Sequence, residues 1–246
     1  MRTIGLIGGM SWESTRTYYE HLNKGVQQRL GGLHSARVII SSVDFSPIAS
    51  MQAEGRWQEA GDVLASAATS LERGGAAVVA LATNTMHKVA TIVTQAIRIP
   101  FLHIADPLVM RLEEAGKSRP LLLATKFTME DRFLIHRLAA HGITAMVPPQ
   151  HGRAMLHRII YDELCKGIVT DASRVRELID DGAAAGADCV ILGCTELGML
   201  IGASNADFPV YDTTAIHAAA LVEFSLDDRD SGNALVGYRT NASSLT

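Results

Sequence analysis

Cysteine is scarce. Of 246 residues only Cys165, Cys189 and Cys194 are cysteines, and none stands in a C-x-x-C pair or beside a histidine at metal-ligand spacing. That argues against a disulfide framework and against a zinc or other metal site. The nine histidines include no H-E-x-x-H pair, and no G-x-x-x-x-G-K-[ST] phosphate loop occurs. Gly5-Leu6-Ile7-Gly8-Gly9-Met10-Ser11 follows a strand-like start but lacks the third glycine of the dinucleotide fingerprint, so it carries no nicotinamide site. Long apolar runs are missing too. The longest, 76–82, falls far short of the roughly 20 residues a membrane span needs and reads as a buried strand. The apolar start of the chain stops at Ser11-Trp12-Glu13, before a signal-peptide core can form, which points to the cytoplasm. The formal charge is only -4 and Lys/Arg residues do not cluster, so nucleic acid and membrane are not expected partners. A small molecule is.

What is present is an ordinary globular balance, 48% hydrophobic and 20% charged, in a chain long enough for one large α/β domain or two small ones. Short Val/Ile/Leu-rich runs alternate with longer segments of helical character, which predicts parallel sheet wrapped by helices. Strands are expected over 3–7, 36–43, 77–82, 100–104, 121–124, 143–147, 189–193 and 209–211. Apolar residues at helical spacing predict helices over 57–73, 85–97, 128–141, 153–167 and 172–185, with Gly74-Gly75, Gly142 and Gly186 at helix ends and Thr170-Asp171 at a helix start.

A repeat is visible. Residues 75–85 and 186–196, offset by 111 positions, share a helix-end glycine, a buried strand and a small polar cluster, with four of eleven residues identical. Each is followed by a helix and a proline-started strand, so the chain reads as a duplicated four-stranded α/β unit. The fold class expected is two similar parallel-sheet α/β domains related by pseudo-two-fold symmetry. The boundaries drawn are 1–98 plus 212–226, 99–211, and a polar extension over 227–246.

Ligands of open α/β sheets bind beyond the carboxyl ends of the strands. Gly8-Gly9-Met10-Ser11, Thr83-Asn84-Thr85, Thr125-Lys126-Phe127-Thr128 and Cys194-Thr195-Glu196 occupy those ends. Facing each other across an approximate two-fold axis, Thr83 and Cys194 would oppose one another, so that a substrate between them loses a proton to one face and regains it from the other. A thiol suits the task because a helix start after it can lower its pKa. Asn84, Thr85, Thr125, Thr128 and Thr195 are placed to hydrogen-bond a substrate carboxylate, Glu196 to orient an amino group, and Lys126 to pair with a side-chain carboxylate. Cys189 and Cys165 read as packing.

Gly8-Gly9-Met10-Ser11-Trp12-Glu13-Ser14-Thr15, Thr83-Asn84-Thr85-Met86-His87, Gly193-Cys194-Thr195-Glu196 and Tyr211-Asp212-Thr213-Thr214-Ala215-Ile216-His217 together resemble the aspartate/glutamate racemase family. The resemblance runs from Thr3 to about Phe224 with the motifs in the family's order. It implies two α/β domains with the active site in the cleft between them, no cofactor, and a homodimer. It implies an amino-acid racemase, acting on aspartate and/or glutamate, in which Cys194 is one of two opposed bases. Thr83 stands where family members commonly carry the other cysteine, a departure found in a subgroup. Gln52 and Lys166 fall where similar members recognise substrate, and Met10 lies in the first motif. His217, in the last motif, is a candidate for tuning Cys194. His87 reads as a capping or packing residue.

Two other readings stay open on sequence. A cofactor-free decarboxylase of the same superfamily needs one proton donor at the Cys194 position. A non-catalytic amino-acid or dicarboxylate binding protein would keep the same strand-end residues without turnover.

Overall fold

All eight segments expected to be extended make parallel pairings in the computed structural model, which describes residues 1–168, 171–201 and 208–227. In one sheet β1 (Ile4–Gly8) lies between β2 (Val38–Ser42) and β3 (Val78–Leu81), and Val79 bridges onward to Phe101. In the other, β5 (Cys189–Gly193) lies between β4 (Pro120–Ala124) and β6 (Val210–Asp212), and Leu121 bridges to Met146. Matching β1 to β4 and β3 to β5 gives both sheets the same strand order. β3 starts at residue 78 and β5 at 189, the offset of 111 read from the sequence. The helix-end glycines ahead of them, Gly75 and Gly186, share nearly the same positive φ, 89° and 92°, a conformation that glycine adopts cheaply. The strands expected at 100–104 and 143–147 shrink to single bridges because prolines without amide donors flank them, Pro100 on one side and Pro148-Pro149 on the other.

The helices are α1 (Trp12–Leu30), α2 (Phe45–Ala53), α3 (Trp57–Arg73), α4 (Ala90–Gln95), α5 (Ala105–Glu114), α6 (Lys126–Glu130), α7 (Phe133–Ala139), α8 (Gln150–Arg158), α9 (Ser173–Ala184) and α10 (Thr213–Leu226). Three predicted helices are subdivided. The 85–97 segment opens as a 3-10 turn, Thr85–Val89, before α4. The 128–141 segment breaks at Arg132, whose φ is 59°, between α6 and α7. The 153–167 segment leaves α-winding after Arg158 for a π turn, Ile159–Glu163, and a 3-10 turn, Leu164–Lys166. At the start of α9 Asp171 accepts from the Ser173 amide at 3.0 Å, and Thr170 lies outside the described residues.

The chain forms two compact units. One comprises the described residues of Met1–Ala82, of Met86–Pro107 and from His217 onward; the other comprises those of Thr83–Thr85 and Leu108–Ile216. In the first, strand alternation divides the core. Ile4, Leu6, Val78 and Ala80 face Tyr18, Leu22 and Val26 of α1 and Leu221, Val222 and Phe224 of α10. Ile7, Val79 and Leu81 face Ala60, Leu64, Ala68 and Leu71 of α3. A sheet covered on both faces is the parallel-sheet pattern. The first motif is local architecture: a Cβ on Gly9 would lie 2.0 Å from the Val43 carbonyl oxygen, the Gly9 amide donates to Thr15 Oγ1 at 2.8 Å, and that hydroxyl donates to the Ser11 carbonyl at 3.1 Å. Among the described residues no helix is long and apolar enough to cross a membrane.

Candidate active site

β5 is buried throughout and delivers Cys194, 5% exposed, to a 3-10 turn, Thr195–Met199. The Cys194 thiol donates to Glu196 Oε2 at 3.1 Å. The same carboxylate takes a second thiol on its other oxygen, from Cys165 at 3.7 Å. Glu196 is itself buried. The expected lowering of the thiol pKa is not what these surroundings produce. Burial, then the charge of Glu196, then Cys165 push Cys194 well above the ordinary thiol range, against which the Glu196 amide is too weak. A short 3-10 turn presents few aligned amides, so the sulfur rests as a neutral thiol facing a carboxylate.

Several strand-end polar residues of the second unit meet one another. Thr125 caps α6, accepting from the Thr128 amide at 3.3 Å. Its hydroxyl lies 3.0 Å from that of Thr85 and 3.3 Å from that of Thr128, and Thr85 and Thr128 are also 3.3 Å apart. All three are buried. Asn84 Nδ2 donates to Thr213 Oγ1 at 3.0 Å, and that hydroxyl donates to the Leu192 carbonyl at 2.8 Å. Asn84 Oδ1 is buried with no hydrogen-bond partner. Thr83 and Thr195 are buried as well. Asp212 caps α10, accepting from the Thr214 amide at 2.8 Å.

Tyr161 was not anticipated. It sits on the π turn, its ring 4.5 Å from His157, which in turn is 5.5 Å from Phe127. Burial, then the neighbouring acidic groups Cys165, Cys194 and Glu196, raise its phenol pKa and keep it protonated. His157 is held neutral by burial and by Lys126. Lys126 is exposed, 5.5 Å from the Phe127 ring, and Lys166 is exposed. Tyr161 and Cys165 are separated by π and 3-10 winding, so the four-residue spacing of an α-helical face does not apply to them and gave no signal.

The remaining predicted residues belong to the first unit. Met10 is buried, and Gln52 is buried with its amide on Met86 Sδ at 3.0 Å. His217 is fully buried between the Tyr18 hydroxyl at 2.9 Å and the Leu102 carbonyl at 3.0 Å, and burial lowers its pKa to about 4. It is a neutral core histidine with both nitrogens occupied, not a group that titrates with Cys194. His87 accepts from the Ile104 amide at 3.2 Å. Among the described residues no cluster of three His, Cys, Asp or Glu side chains could hold a metal ion.

The model of the Asp/Glu/hydantoin racemase family matches residues 7–221. The chain belongs to that family. It is an amino-acid racemase, built on the two α/β units described above. A crystal structure from Yersinia pestis, of a protein proposed to be an Asp/Glu racemase, superposes with a TM-score of 0.84 at 46% identity, covering 92% of this chain and 100% of that one. An aspartate racemase homologue from Pyrococcus horikoshii OT3 gives 0.81 at 32% identity, covering 92% and 100%. The broad specificity amino-acid racemase RacX of Bacillus subtilis (strain 168) is 22% identical over 155 residues, 63% of this chain and 67% of that protein.

Proposed function

We propose that the chain racemises aspartate and/or glutamate without a cofactor, by α-proton abstraction and return between Cys194 and Thr83. The observation that carries this is the thiol–carboxylate pair at the end of β5, Cys194 Sγ to Glu196 Oε2 at 3.1 Å. Because Cys194 rests protonated, it becomes a base by handing its proton to Glu196. The thiolate then removes the α-proton, the C–H electron pair is delocalised into the substrate carboxylate, and the opposite face is protonated through the Thr83 hydroxyl, which takes a proton from water as it gives one up, while Glu196 returns its proton to water. Thr83 and Cys194 follow duplicated strands and belong to the same compact unit, which supports the pairing. The Thr85, Thr125 and Thr128 hydroxyls supply donors for the carboxylate as charge builds on it. The unpartnered Asn84 Oδ1 accepts from the substrate ammonium, and Lys126 or Lys166 meets the side-chain carboxylate.

The acting form is proposed to be a cytoplasmic homodimer. Trp12 and Tyr19, both exposed and two turns apart on α1, give it an apolar face to cover.

The test is incubation with each enantiomer of aspartate and glutamate in deuterated water, following the α-proton by NMR and handedness by chiral chromatography. Exchange with inversion is expected, with equal kcat/KM in both directions because enantiomers have equal free energy. Absence of exchange at substrate concentrations that raise the melting temperature would refute racemase turnover and leave a binding protein. Release of carbon dioxide from a substituted malonate without amino-acid exchange would favour the decarboxylase.

A further inference from the structure

Racemisation as proposed uses one thiol, yet Glu196 holds two. Its carboxylate stands between Cys194 on Oε2 at 3.1 Å and Cys165 on Oε1 at 3.7 Å. Cys165 comes from a different part of the chain, the 3-10 turn Leu164–Lys166. The winding there changes twice within eight residues, from α to π to 3-10. Departures of this kind are frequent at functional sites.

We propose that Cys165 is a positioning residue for racemisation, whose thiol anchors Oε1 of Glu196 and so aims Oε2 at the Cys194 proton. The proposal rests on the racemase reading given above. In the step it serves, the Cys194 S–H bond breaks, an O–H bond forms on Oε2, and the sulfur keeps the electron pair. Cys165 keeps its own proton throughout. A carboxylate this deeply buried needs donors to remain charged, and Cys165 is one that the reaction does not consume. Cys194 faces Glu196 from its own turn, and the Tyr161 phenol on the π turn lies within its electrostatic reach. Behind Tyr161 lies His157, within the influence of Lys126, Asp162 and Glu130.

The test uses the full chain with Cys165→Ala and Cys165→Ser. Steady-state rates give kcat and KM separately, and iodoacetamide alkylation of Cys194, followed by peptide mass spectrometry, reads the free protein. In Cys165→Ala kcat should fall about threefold with KM unchanged, the size expected for loss of one weak donor, and Cys194 should be alkylated faster, because a carboxylate no longer aimed at its proton holds that proton less firmly. Cys165→Ser, which keeps a donor, should return both toward wild type. Unchanged alkylation of Cys194 in folded Cys165→Ala overturns the proposal. So does a serine variant as impaired as the alanine one. The alkylation needs no substrate. Faster alkylation of Cys194 in Cys165→Ala, in a protein whose wild type exchanges no α-proton, would refute the racemase reading while upholding the thiol–carboxylate contact.

Discussion

The two units carry buried titratable clusters of opposite character. In the first, the His87 ring lies 4.5 Å from that of His103 and 5.9 Å from that of His217. Each serves the backbone: His87 accepts from the Ile104 amide, His103 from the Ala105 amide, and His217 meets the Leu102 carbonyl. In the second, the buried partners are a thiol and a carboxylate facing each other, with a second thiol and a phenol beside them. A concentration of histidines is the usual sign of acid–base chemistry, yet here it marks the inert cluster. An acid set against a base that can take its proton distinguishes the other. Duplication reproduced the strand order and the helix-end glycines, and the chemistry then diverged on a shared frame.

The sharpest way to break that comparison is at the duplicated strand ends. Cys194→Ala should lower kcat by about 10²- to 10⁴-fold, the range for removing a general base, whereas Thr83→Ala should lose only about tenfold, as a relay replaceable by water. Steady-state rates with both enantiomers measure this. Equal losses would mean that the two positions still act as a matched pair.

On the first unit's side, His217 predicts a pH dependence of stability and not of rate. Its pKa falls from 6.5 to about 4 on folding, so the folded state disfavours the proton that the unfolded chain accepts. Stability is therefore complete above pH 6.5 and lost as the pH falls toward 4, by roughly 3 kcal/mol in all. Urea denaturation between pH 7 and pH 4 should show that loss in wild type. His217→Asn, less stable at pH 7, should lack this component. A parallel slope in the variant would remove His217 as its source.

The smallest effect expected separates reactivity from catalysis. The Glu196 charge is the largest cause after burial that holds Cys194 protonated, so Glu196→Gln should make Cys194 more reactive toward iodoacetamide at a given pH. The same change should slow racemisation about tenfold, because the proton acceptor is gone. Peptide mass spectrometry of the alkylated thiol checks the first half. A variant slower in both would show that the carboxylate activates the thiol in the resting protein.

Much of this was legible beforehand. β5 runs over the residues expected of it, and the Thr85, Thr125 and Thr128 hydroxyls meet as their strand-end positions implied. Such elements are specified by short-range rules: a buried run between glycines, a threonine cap. Cys165 was assigned to packing because periodicity carried forward from α8 assumes 3.6 residues per turn, and the π turn at Ile159–Glu163 shifts every later side chain around the axis. Tyr161 was hidden by the same shift. α1, the longest helix described, escaped because only Tyr18, Leu22 and Val26 of its buried residues are apolar, the others being Glu13 and Ser14, on an otherwise polar segment. The rise in the Cys194 pKa needed three-dimensional burial, which a motif does not report.

The triangle of Thr85, Thr125 and Thr128 has a further meaning. A hydroxyl proton turns freely about its C–O bond, so a ring of three can circulate its hydrogen bonds in either sense at nearly equal energy. A rigid fork of amide donors presents its hydrogens in one fixed direction. Rotating hydroxyls can re-aim theirs, so three oxygens in contact can redistribute their protons without any side chain changing rotamer.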